Sequence, residues 1–297
     1  MKYVRQTIIW LIVLVVCTGI IFFAGKKKPV IRRMSDTSLA TTVDAVAINV
    51  AFQEFDQNGT QVHLFSSKCM RHIQKNNTHV FTQPRIQIIS TEQPPMNLSA
   101  DSAISLHSGK TITFKDNVHL NTIASAKRPD MHVTTKSLKY NSQKQQVTTS
   151  DQVFFTQAPT QGHSHGMTAD LATHSLRLLN DVVVDQPSAH LRAHNVTTHG
   201  DSQHPLLTAI INGESNKPAH YWSKLKPDEP LMHARADHML LNQITQTILL
   251  TGTARITQGP QSFTAPRIIY DLAHRHVITT PTTLARTTIV IYPEKNT

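Results

Sequence analysis

Beyond about residue 45, apolar and polar residues alternate with a period of two. Ile112, Phe114, Val118 and Leu120 share one parity, while Thr113, Lys115, His119 and Asn121 take the other. Leu138 and Tyr140 alternate in the same way, as do Ile86 and Ile88 between Arg85 and Gln87. This pattern predicts strands that bury one face and wet the other. No segment of this region sustains the helical period. Abundant Val and Thr suit a pleated, half-buried surface.

The strands also repeat in pairs. Leu98–Ile104 is followed by Ile112–Leu120, Met167–Leu171 by Leu176–Val184, and His233–Met239 by Ile248–Ile256. Weaker copies start near Ser66, Thr134, Arg192 and Thr264. Aligning Lys68, Asp101, Lys136, Asp170, His194, Asp237 and Pro266 gives a repeat of roughly 33 residues, the signature of stacked supersecondary units. Each unit reads as a hairpin whose second strand bends at Asn117, Asp181 or Gly252, residues that suit a bulge or corner. One hairpin cannot bury its apolar face alone. The stack therefore either closes as two packed sheets or stays open as a trough lined by aliphatic and aromatic side chains. In the first case the inward residues are simply core.

One segment breaks the alternation. The 18 residues Thr7 to Ala24 carry no charge, and a helix of that length spans about 27 Å, close to the hydrocarbon core of a bilayer. The run exceeds a signal-peptide core and no A-x-A site precedes Lys26, which disfavours cleavage. Val16 is too bulky to precede a lipidated Cys17. The expected order is a tail over residues 1–6, a transmembrane helix over 7–24, a linker over 25–44, then β-structure over 45–185 and 186–297.

The formal charge of +10 does not read as a nucleic-acid surface. Seven Lys/Arg and no acid lie within residues 1–33, while residues 34–185 balance twelve against twelve. The charge flanks the apolar segment, so no basic groove for nucleic acid is expected. Lys26, Lys27, Lys28, Arg32 and Arg33 outnumber Lys2 and Arg5, and the positive-inside rule taken literally puts the C-terminal side in the cytoplasm. Cys17 and Cys69 lie on different sides of the membrane boundary and cannot pair. The 18 histidines invite a metal reading, chiefly at Gly162-His-Ser-His-Gly166, His274/His276, and His190, His194, His199 and His204. Three or four converging ligands are needed, and the sequence does not supply them, so no metal site is expected. With no G-x-S-x-G, P-loop or H-E-x-x-H motif, no catalytic residue or cofactor is expected either.

Two sets of motifs carry a family resemblance. Asp56-Gln-Asn-Gly59, Phe81-Thr-Gln-Pro84, Leu98-Ser-Ala-Asp101 with Asn117-Val118, Val133-Thr-Thr135, and Gly166-Met-Thr-Ala-Asp-Leu171 with Leu176-Arg-Leu178 resemble the LptC family, following the N-terminal anchor. Lys217-Pro-Ala-His-Tyr-Trp222, Ala236-Asp237, Leu250-Thr-Gly252, Ile256-Thr-Gln-Gly259, Tyr270 and Thr287-Thr-Ile-Val-Ile-Tyr-Pro293 resemble the LptA (OstA-like) family. The chain therefore resembles a fusion of membrane anchor and bridge unit, with the first LptA-like hairpins shortened or shared.

The resemblance implies an all-β fold of tandem β-jellyrolls after the N-terminal transmembrane helix, V-shaped in section and joined edge to edge. It implies lipopolysaccharide acyl chains in a continuous apolar groove. It implies an inner-membrane ABC permease, further bridge copies and the outer-membrane translocon as partners. The N-terminus would then be cytoplasmic and the bulk periplasmic, against the charge count. Parity and resemblance together nominate Val50, Val62, Leu64, Phe81, Ile86, Ile88, Ile112, Phe114, Val118, Leu120, Leu138, Tyr140, Leu178, Tyr221, Met239 and Leu241 as inward, lipid-facing positions. A membrane-anchored structural or adhesive β-repeat protein with a dry interior is the alternative reading. A catalytic periplasmic domain is a third.

Overall fold

The computed structural model describes residues 43–90, 95–106, 110–124, 129–201, 206–214, 216–224, 230–274, 276–279 and 288–290. The expected transmembrane helix, the tail and nearly all of the linker lie outside these residues. Among the described residues no helix is long and apolar enough to cross a membrane.

Thr41–Thr297 form one compact unit. Among the described residues it contains twenty β-strands and one short 3-10 turn, Gln74–Asn76. The strands are β1 (Val43–Phe55), β2 (Gln61–Ile73), β3 (Thr78–Thr82), β4 (Arg85–Ile88), β5 (Met96–Ser99), β6 (Ser102–Leu106) and β7 (Thr111–Thr122). Next come β8 (Met131–Asn141), β9 (Gln146–Gln157), β10 (Thr160–Asp170), β11 (Ser175–Gln186), β12 (Ala189–His199), β13 (Thr208–Asn212) and β14 (Ala219–Ser223). The last are β15 (Met232–Ala236), β16 (His238–Asn242), β17 (Thr247–Gln258), β18 (Gln261–Asp271), β19 (His276–Thr279) and β20 (Thr288–Val290).

Every pairing is antiparallel, and the pairings resolve into two ladders. The first arm runs β1–β2–β3–β6–β7–β8–β9–β10–β11–β12–β13–β16–β17–β18–β19. The second runs β1–β2–β4–β5–β7–β8–β9–β10–β11–β12–β14–β15–β17–β18–β20. The long strands contribute one half to each ladder and bend between them. The short pairs β3/β4, β5/β6, β13/β14 and β15/β16 are interrupted at the same level.

The bends sit at the residues that tolerate them. Asp116 and Asn117 have φ of 62° and 48°, Asn180 and Asp181 49° each, and Gly252 93°. The register shifts at the same points, between Lys115 and Val118, Leu179 and Val182, and Thr251 and Ala254. Such a left-handed step breaks the ladder and turns the strand. Asp side chains lock two of the corners. Asn117 Nδ2 donates to Asp101 Oδ2 at 2.6 Å. Thr253 donates its backbone N–H and its hydroxyl to Asp237 at 3.0 and 2.9 Å. A Cβ on Gly252 would collide with the Asp237 side chain, so that corner requires glycine twice over. Asp170 departs from the sequence alignment. It ends β10 and accepts the Thr173 N–H at 2.9 Å, while the β10 bend falls at Gly166, φ 99°.

The boundary expected at 185/186 falls inside β11, and both ladders cross it. Leu178 faces Val196 in the first arm and Val184 faces Leu191 in the second.

Candidate functional site

Residues directly opposite each other in a ladder share a face. The register therefore assembles rows of side chains that run across the strands. In the second arm Phe65, Ile86, Leu98, Leu120, Val133, Phe155, Gly162, Val184, Leu191, Tyr221, Ala234, Ile256 and Phe263 follow one another without a break. In the first arm one row runs Phe81–Ala103–Phe114–Leu138, and beyond β9 it continues as Met167–Leu178–Val196–Ile211–Met239–Leu250–Ile268. These rows form the interior. Contacts that cross from arm to arm show that the two faces look at each other. Phe65 meets Phe81 edge-on with ring centres 4.8 Å apart, and His63 meets Tyr140.

The nominated residues fall on these faces except Leu64, and Val62 lies at a bulge where it lines a cavity with Ile88, Met96 and Tyr140. Phe81, Ile112, Phe114, Leu138, Tyr140, Leu178, Met239 and Leu241 stand on the inner face of the first arm. Val50, Ile86, Ile88, Val118, Leu120 and Tyr221 stand on that of the second. Leu64 pairs with Gln53 and Gln87 on the opposite face of β2, and Val62 sits at the register shift between Glu54 and Phe55. The inward neighbours of Leu64 are His63 and Phe65. The alternation misled here because a polar residue points in. His63 Nε2 lies 2.6 Å from the Tyr140 hydroxyl and its Nδ1 lies 2.9 Å from Glu54. The hydrogen bond from His63 holds the Glu54 carboxyl below its usual range. Burial, then the Glu54 charge, pushes the Tyr140 phenol well up.

The interior is not uniform. Leu98, Phe114, Val118, Leu138, Tyr140, Val147 and Val153 are fully buried in the first half, as are Met232, Met239, Leu250 and Ile268 in the second. Toward the C-terminal half the arms stand apart around a cavity of about 460 Å³. Leu191 and Tyr221 line it from the second arm, and Ala209, Ile211, Met239, Leu241 and Ile248 from the first. Ala193, Ala209, Ala219, Ala234 and Ala236 occupy inner or adjoining positions around it. A smaller cavity of about 220 Å³ lies where Val62, His63, Ile88, Met96, Tyr140 and Leu171 converge.

Edges and polar clusters complete the inventory. Among the described residues β1 pairs only with β2, and Val43, Val46, Ile48, Phe52 and Phe55 on it are exposed. Among the described residues Asp271, His274 and His276 place ligand atoms within 4.8 Å of one another on an exposed turn. That carboxylate already accepts two bonds from His274.

Two overlapping stretches of the chain match family models. Residues 10–185 match the model described as lipopolysaccharide-assembly, LptC-related. This chain belongs to the LptC-related lipopolysaccharide-assembly family. Residues 163–275 match the model of the LptA/(LptD N-terminal domain) lipopolysaccharide transport protein. The two matches overlap over 163–185, so most of β10 and most of β11 are common to both. Lpt-family membership makes the chain a component of lipopolysaccharide transport. A similar solved structure is LptH of Pseudomonas aeruginosa, the LptA-homologous periplasmic component of the lipopolysaccharide transport device. Identity is 24%, covering 46% of this chain and 96% of that one, with a TM-score of 0.40. No curated protein matches the chain.

Proposed function

We propose that this LptC-related chain is a periplasmic bridge that holds lipid A acyl chains between its two arms. In this reading Thr7–Ala24 anchors it in the inner membrane. It receives cargo from the inner-membrane ABC permease and passes it toward the outer membrane, with further copies or the translocon adding at its strand edges. The observation that carries the reading is the apolar row of the second arm, which runs unbroken through both family regions, faced by a first-arm row that is interrupted only at β9. A lipid crossing an aqueous space must hide its chains, since each exposed methylene costs about 0.8 kcal/mol. Rows of similar, non-directional contacts hide them without fixing them at one point. The 460 Å³ cavity is at the lower end of the roughly 300–1,000 Å³ of sites that engulf a drug-sized ligand, so a lipid with several acyl chains requires the arms to part. The solid packing around Phe114 and Tyr140 favours a second reading, a structural β-repeat without cargo. Mass spectrometry of the full-length chain purified from a Gram-negative membrane separates the two. Co-purifying lipopolysaccharide in near-stoichiometric amount is expected. A protein free of lipid, under conditions that retain it on a known carrier, contradicts the bridge reading.

A further inference from the structure

The outer face of the second arm carries a charge pattern of its own. Five neighbouring half-strands, residues 189–193, 219–223, 232–236, 254–258 and 261–265, hold Arg192, Arg235, Arg255, His190, His220 and His233 and no Asp or Glu. The register sets Arg192, His220, Arg235 and Arg255 opposite one another in a single row across four strands. One row nearer the rim, His190, Trp222 and His233 are likewise opposite. The Trp222 ring lies 5.1 Å from His190 and 4.6 Å from His220, and the Arg192 guanidinium carbon lies 5.5 Å from its centre. His220 Nε2 and His233 Nδ1 are 3.0 Å apart, so one of these two nitrogens carries no proton.

Like charges directly opposite on neighbouring strands cost stability. Burial, then Arg235, His233 and Arg192, pulls His220 down to about 4. The acids nearby lie at its margin. Asp185 bonds His190 at 2.8 Å, and Asp181 and Glu214 share a hollow with Arg192, Lys217, His163 and His194. The arginines are exposed; among the described residues no ion pair joins Arg192, Arg235 or Arg255 to a carboxylate, and Arg255 Nε donates to Ser262 Oγ at 3.3 Å. The same strands present Leu191, Tyr221, Ala234 and Ile256 to the interior, one residue away and on the opposite face. At about 3.3 Å per residue, Arg192 stands roughly 13 Å from the rim at Ser188, within reach of a sugar head whose chains enter the cavity behind it.

We infer that this arginine row, with its Trp222 platform, binds the phosphates of a phosphorylated saccharide head folded over the rim of the second arm. The inference rests on the groove reading above and adds a second recognition element to it. Planar guanidinium forks suit phosphate oxygens, and the aromatic rings offer a flat apolar surface to a sugar.

The test uses the full-length chain in detergent, with bisphosphorylated lipid A and the same lipid stripped of its phosphates as probes. The variant is Arg192→Gln/Arg235→Gln/Arg255→Gln. Its melting temperature should equal or exceed the parent's, because the replaced side chains are exposed and like charges no longer stand opposite one another. The parent should bind the phosphorylated lipid about tenfold more tightly, a modest gain expected of exposed charges, and the variant should bind both forms alike. A parent without preference, or a variant that keeps it, overturns the arginine row and leaves the groove reading standing. A parent that binds neither lipid overturns the groove reading itself. A variant that detaches from phosphatidylglycerol vesicles yet keeps the lipid A preference assigns the row to a membrane surface and overturns the proposal.

Discussion

Replacing Phe81 or Tyr221 by arginine separates a packed interior from an open one. Phe81 is 6% exposed and its ring meets Phe65 edge-on at 4.8 Å. Truncating such a phenylalanine costs about 3–5 kcal/mol, and the aromatic pair adds about 0.5–1.5 kcal/mol. A guanidinium at that position also has to be buried without a partner, which adds roughly 1–3 kcal/mol more. The sum approaches the whole stability of an ordinary domain. Tyr221 is half-buried and faces the 460 Å³ cavity. Half of a side chain's burial is worth about 1 kcal/mol, and the arginine can extend its head through the cavity mouth. At about 2–4 °C per kcal/mol for a unit of this size, Tyr221→Arg should lower the melting temperature by about 5 °C or less. Phe81→Arg should lower it by more than about 10 °C or abolish folding. Lipid capture then decides function. Tyr221→Arg should fold and yet retain little lipopolysaccharide, since it places a charge on the wall of the groove. Equal melting temperatures for the two variants, or full lipid retention by Tyr221→Arg, would refute the reasoning.

The remaining predictions concern the corner, the outer histidines and the edge. Gly252→Ala forces a side chain into φ 93° and against Asp237. It should destabilise by about 2 kcal/mol or more in urea unfolding, and an unchanged midpoint would refute the corner account. His220 is held below its ordinary value of 6.5, at about 4, by burial and then by Arg235, His233 and Arg192. The unfolded chain therefore binds this proton first. Stability should fall as pH drops from about 6.5 toward 4. His220→Gln should flatten that part of the curve, and an unaltered slope counts against it. Ile48 is 73% exposed on the edge strand β1, and Ile48→Lys should weaken assembly with a partner edge while leaving the melting temperature within about 1 °C. Unchanged assembly by light scattering would remove β1 as a docking edge.

Much of the fold was legible in the two-residue alternation. Where a strand alternates cleanly, as from Ile112 to Leu120, the apolar parity is the interior, and Asn117, Asp181 and Gly252 mark the corners because few residues tolerate positive φ. β2 defeated the rule. Its apolar residues occupy both parities, and the polar His63 points inward because Tyr140, 77 residues away, offers it a hydrogen bond. The hairpin repeat was visible, but the spacing of Asp170 concealed the true bend at Gly166. Where the cavities open depends on how side chains from distant strands meet. The arginine row depends on the pairings β12–β14 and β15–β17, which skip neighbours in sequence. Neither is recoverable without register.

A photo-reactive amino acid placed in turn at inner positions 191, 211 and 241 and at outer position 115 tests the central claim most directly. The account predicts lipopolysaccharide crosslinks in living cells at the three inner positions and none at Lys115. Crosslinks at Lys115 with none inside would contradict it.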